Sequence, residues 1–105
     1  MATNKSNLFE TEEIKLSQIA KALSHPARIK ILKILMGNNV CMCGDIVELM
    51  PLAQATVSQH LKELKNVGLI SGEVEGPKIC YCLNSNTIKE AKEAFDVLFK
   101  NVCEC

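Results

Sequence analysis

The sequence has no apolar run long enough to span a bilayer. Its first residues, MATNKSNLFETEE, also lack the apolar core and small-residue cleavage site of a secretory signal. These absences point to a soluble, cytoplasmic protein with no membrane partner. The chain has no net charge either, because twelve Lys and Arg offset twelve Asp and Glu. Any affinity for nucleic acid must therefore come from a local concentration of basic side chains. There is no phosphate-binding glycine loop, no C-x-x-C redox motif and no nucleophile with an evident base partner, which argues against an enzyme. No internal repeat or low-complexity tract divides the chain. At 105 residues it has room for one core, so residues 1–105 are expected to form a single domain behind a loose arm at 1–10.

What is present is a succession of short periodic segments. Leu16, Ile19, Ala20 and Leu23 recur at helical spacing and mark a first helix. In SHPARIKILKIL, Ser24 or His25 precedes a proline tolerated in a first turn. Ile29, Leu32 and Leu35 form its apolar stripe, with Ile31 and Ile34 widening it, and Gly37, Asn38 and Asn39 end the helix. A short third helix is predicted from about Gly44 to Met50, stopped by Pro51. Val57, Leu61 and Leu64 then define a fourth helix closed by Gly68. Short runs of Val, Ile and Tyr around Gly76 and Pro77 read as a hairpin, with Ile79, Tyr81 and Leu83 on one face and Cys80 and Cys82 on the other. A last helix opens near Thr87, with Glu90 completing a capping box, and carries a broad apolar face through Phe95, Leu98, Phe99 and Val102.

A short helix, a tight turn, a longer helix with a polar outer face and a following hairpin make a winged helix-turn-helix. The order is α-α-α-α-β-β-α, mainly helical with a small β-hairpin. With Val57, Leu61 and Leu64 inward, a step of about 100° per residue turns Gln59 and Lys62 outward, with Ser58 and Lys65 on one flank and Thr56 on the other. Gln54, Thr56, Ser58 and Gln59 are expected near base edges in the major groove, with His60 also on the DNA face. Lys62 and Lys65 are expected to hold phosphates. On the wing, Glu73 and Glu75 repel phosphate, and only Lys78 offers a cation to the backbone.

HPARIKILKIL, the C-x-C before GDIVELM, QATVSQHLKELKNVGLI and a hairpin ending KICYCLN together resemble the ArsR/SmtB family of metal- and metalloid-responsive repressors. The similarity runs from about Leu16 to Val102. It implies a homodimer formed through the first and last helices, binding a palindromic double-stranded operator. Two-fold symmetry would place its half-sites about 34 Å apart. The two phenylalanines of the last helix, hard to bury in so small a monomer, support the dimer independently.

All six cysteines lie in C-x-C pairs: Cys41 with Cys43, Cys80 with Cys82, and Cys103 with Cys105. In a reducing compartment they are not expected to form structural disulfides. A thiolate pair one residue apart can close on one soft ion in extended or turn backbone. The family resemblance implies an inducer, trivalent arsenic or antimony or a soft divalent metal, held at Cys41 and Cys43, with no permanent cofactor. Gly44 is an extra residue before the usual aspartate, and Val47 stands where some members have a third cysteine. Cys103 or Cys105 is then the expected third ligand. The family's other site, built from Asp and His on the last helix, has Asp96 here but no histidine. His25 is expected to start a helix rather than bind metal, and Cys80 and Cys82 to sit passively on the wing.

These readings describe a repressor released from its operator by a thiophilic inducer. Two alternatives stand beside it: a repressor of the same fold switched by thiol oxidation or persulfide formation, and a C-x-C metal carrier or thiol oxidoreductase. If Lys78 touches the backbone, Lys78→Glu should weaken operator binding uniformly across sequences and reduce the salt slope by about one. Unchanged affinity and slope would remove it from the interface.

Overall fold

The computed structural model describes residues 8–38, 41–44 and 46–102. Helix α1, Thr11–Ala22, begins where the Glu13 side chain accepts a hydrogen bond from the Glu10 backbone N–H at 3.0 Å. Glu12 and Glu13 complement the positive N-terminal end and Lys21 the negative C-terminal end. Helix α2, Pro26–Gly37, starts with Pro26 in its first turn, and His25 Nδ1 accepts from the Ala27 N–H at 3.0 Å. The expectation for His25 as a helix-start residue is thereby met.

Helix α3, Gln54–Asn66, ends at Gly68, whose φ of +80° only glycine adopts without strain. The Gly68 N–H bonds to Lys65 O at 2.9 Å and the Leu69 N–H to Leu64 O at 3.1 Å, the paired bonds of a Schellman cap. That cap turns the chain straight into strand β2, Ile70–Glu75, and a two-residue turn at Gly76–Pro77 returns it along β3, Lys78–Leu83. Helix α4, Ser85–Phe99, closes the order.

Three features differ from expectation. Residues 46–50 are not an α-helix but two successive turns, Leu49 N–H to Ile46 O at 3.2 Å and Met50 N–H to Val47 O at 3.2 Å. Pro51 has no N–H with which to extend them, and Ile46 and Met50 are buried by the turns all the same. The wing has a third strand: β1, Cys41–Cys43, pairs antiparallel with β3, giving the order β1-β3-β2. Last, α4 begins two residues before Thr87, and its cap is Asn84, whose Oδ1 accepts from the Thr87 N–H at 3.3 Å.

One core holds these elements together. Ile31 and Leu35 from α2, Ile46 from the turns, Val57, Leu61 and Leu64 from α3, and Leu69 beyond it are all essentially inaccessible. On α2 the buried stripe is Ala27, Ile31, Leu32 and Leu35, while Ile29 stays exposed. Truncating Leu61 to Ala should cost about 2–5 kcal/mol, since the tight surroundings relax only in part. Lys62→Ala, one residue along on the exposed side, should stay within about 0.5 kcal/mol. Urea unfolding of the two variants checks both values, and a smaller loss for Leu61→Ala would contradict its place at the centre of the core.

Candidate nucleic-acid interface and cysteine face

Helix α3 divides into two sides. Val57, His60, Leu61 and Leu64 are buried, whereas Gln54, Thr56, Ser58, Gln59, Lys62 and Lys65 are exposed. The outward residues of the first two turns are uncharged and, apart from Ala55, carry amide or hydroxyl groups that can both donate and accept, and the lysines follow one turn later. Gln59 Nε2 donates to Glu63 Oε2 at 3.2 Å, a bond that orients the amide along the helix surface. Beside these turns runs a cleft whose walls include Gln54 and Ser58 on one side and Lys78 and Tyr81 of the wing on the other.

His60 is placed differently from the sequence reading. It lies on the inner side of α3, only 8% exposed, so it does not share the exposed side with Gln59 and Lys62. Arg28 Nε donates to His60 Nδ1 at 3.1 Å, and the His25 ring sits against the His60 ring with centroids 4.3 Å apart. Arg28 also donates through Nη1 to Ala22 O at 3.3 Å, so one guanidinium joins the end of α1 to α2 and α3. The signal was in the spacing: position 60 is three after Val57 and four before Leu64, on the same apolar stripe.

Burial pushes the His60 pKa below the ordinary histidine value, and the neighbouring His25 and Arg28 push it further, against a weaker opposing pull from Glu63.

The cysteines form a second feature. Register places Cys41 opposite Cys82 and Cys43 opposite Cys80, so all four side chains project from one face of the β1–β3 ladder. Cys41 is bonded to Cys82 and Cys43 to Cys80, with Cα separations of 4.1 and 3.9 Å. The expectation of free thiols is corrected for these four residues, since Cys80 and Cys82 are each bonded to a β1 cysteine. The close, non-hydrogen-bonded positions of an antiparallel pair bring the side chains together. Cys103 and Cys105 lie outside the described residues. Glu75 Oε2 is 3.3 Å from Cys80 Sγ, and donor atoms of Cys43, Glu75 and Cys80 lie within 4.8 Å of one another. Just past Cys43, Gly44 at φ +87° swings the chain out of β1 toward the turns that precede α3. Asp96, on α4, is exposed and paired with Lys92 Nζ at 3.0 Å.

An outward polar helix, backed by a buried stripe and followed at once by a β-hairpin, defines a winged helix-turn-helix DNA-binding regulator. Comparisons agree. Residues 25–71 match the family described as bacterial regulatory protein, arsR family. The chain is 33% identical over 84 residues to an arsenical resistance operon repressor of Staphylococcus xylosus, covering 80% of each. It is 31% identical over 90 residues to a cadmium resistance transcriptional regulatory protein homolog of Staphylococcus aureus, covering 85% of this chain and 74% of the other. The fold matches the solution structure of a homodimeric winged helix-turn-helix DNA-binding domain from Mycobacterium bovis with a TM-score of 0.66, at 20% identity and over 100% of this chain and 94% of that one. The chain belongs to the ArsR family, and it is a transcription regulator, not an enzyme.

The histidine on the inner side of α3 makes stability depend on pH. Its lowered pKa means that the unfolded chain binds the proton more readily, so the His60 contribution is fully present above about pH 6.5 and is lost as pH falls toward the folded-state value. Urea midpoints at pH 7.5 and 5.5 should therefore fall further for the wild type than for His60→Gln, which cannot gain that proton; equal falls would show that His60 does not carry the dependence.

Proposed function

We propose that the protein is a cytoplasmic repressor that holds a palindromic operator as a homodimer and releases it when a thiophilic inducer occupies Cys41 and Cys43. The observation that carries this reading is the exposed polar side of α3, held outward by Val57, Leu61 and Leu64. Gln54, Thr56, Ser58 and Gln59 read base edges, while Lys62, Lys65 and Lys78 neutralise phosphates. Exposed Val97, Leu98, Phe99 and Val102 beyond the middle of α4, together with Leu8 and Phe9 before α1, supply apolar surface for the subunit contact. The homodimeric form of the similarly folded Mycobacterium bovis domain favours the same arrangement.

The inducer class follows from soft thiolate chemistry and from the arsenical and cadmium resistance regulators to which the chain is similar. Cys41 and Cys43 precede the turns that lead into α3, so an ion bound there acts on the support of the reading helix. The inducer lowers operator affinity only by as much as it prefers the dimer geometry that fits DNA less well. Cys103 and Cys105 remain candidates for completing the site. The two disulfides favour a second reading, in which oxidation of the same thiols releases DNA.

Arsenite titrated into the reduced protein on labelled operator should release the DNA, and Cys41→Ser should bind operator normally but no longer respond. Release that persists unchanged in Cys41→Ser would exclude this site.

A further inference from the structure

The β1–β3 ladder presents its four sulfurs from one side. Along each strand the paired cysteines are two residues apart, about 7 Å by strand rise. Across the strands their Cα atoms are 4.1 and 3.9 Å apart. A tetrahedral metal needs donors all round it, which one sheet face does not offer. A trivalent metalloid with a lone pair takes three bonds into one hemisphere, and a sheet face supplies that shape.

Charge points the same way. By register, Glu73 stands beside Cys80 and Glu75 beside Lys78 on this face, with Glu75 Oε2 3.3 Å from Cys80 Sγ. A divalent metal held by four thiolates would carry two negative charges next to these carboxylates, with Lys78 as the cation that register places on the same face. A trivalent metalloid held by three thiolates is neutral.

We propose that, once reduced, Cys41, Cys43, Cys80 and Cys82 form one thiol platform that binds trivalent arsenic or antimony through Cys41, Cys43 and a third sulfur from the wing strand β3. This deepens the inducer reading above and rests on it. A low-molecular-weight thiol reductant delivers two electrons and two protons to each disulfide, is itself oxidised to a disulfide, and leaves four S–H groups. Arsenite, As(OH)3, then exchanges its three hydroxyls for three sulfurs. Three As–S bonds form, three As–O and three S–H bonds break, three waters leave, and arsenic stays trivalent. The bound ion ties the strand that precedes the helix-turn-helix to the strand that carries the wing.

The test uses full-length protein, reduced with a phosphine and titrated with arsenite, with folding checked by circular dichroism. Arsenic X-ray absorption should count three sulfurs in the wild type and in Cys103→Ser/Cys105→Ser. In Cys80→Ser/Cys82→Ser it should count two, with binding weakened about tenfold or more. Should that double variant misfold, the wild type still decides. Arsenite should protect a cysteine in the tryptic peptide Ile79–Lys89 from alkylation. Three sulfurs in Cys80→Ser/Cys82→Ser, or full alkylation of that peptide in the wild-type complex, overturns the wing ligand. If operator release still depends on Cys41 in that case, the inducer reading stands without it, whereas a wild type that binds no arsenite brings down both.

Discussion

Burial of Val57, Leu61 and Leu64 against α2 and the root of the sheet is the interaction on which the remainder of the molecule depends. These side chains supply the area removed from water that holds α3 in place, each fully buried aliphatic side chain contributing about 1.5–3 kcal/mol. They also set the rotation of the helix about its axis. Because a helix places residues three and four apart on one side, fixing the inner stripe fixes which residues face outward. Gln54, Thr56, Ser58, Gln59, Lys62 and Lys65 are exposed for that reason.

The same stripe contains a polar member. His60 is inside because its neighbours at 57, 61 and 64 are, and burying an imidazole requires a partner. Arg28 provides one from α2 while reaching back to the carbonyl of Ala22 at the end of α1. Three helices therefore meet at one guanidinium, and the bond to His60 Nδ1 requires that nitrogen to be unprotonated. A hydrogen bond of fixed geometry adds direction to a contact that hydrophobic burial alone leaves free to slide.

The sheet that follows α3 carries the cysteines on its β1–β3 ladder. Strand β1 is three residues long and lies at the edge of the sheet, paired to β3 alone. The chain leaves it at Gly44 and reaches α3 through two turns, so β1 leads directly into the helix-turn-helix. A bond or an ion that joins β1 to β3 constrains the wing relative to the segment that leads into the helix-turn-helix.

Much of this was legible without coordinates. Apolar residues at helical spacing marked α2, α3 and α4, Gly68 marked the end of α3, and alternation around Gly76 and Pro77 marked the wing. These signals are local, since a helix or hairpin is encoded by residues a few positions apart. The outward side of α3 was legible too, apart from His60. What only tertiary structure decided involves residues far apart in the chain. The pairing of Cys41 with Cys82 spans 41 residues and the Arg28–His60 bond spans 32. The third strand exists only because β3 is there to accept it. A sequence pattern states which side of an element is apolar or polar, but not which other element will come to lie against it, because that is settled by the single packing that buries all the apolar stripes together.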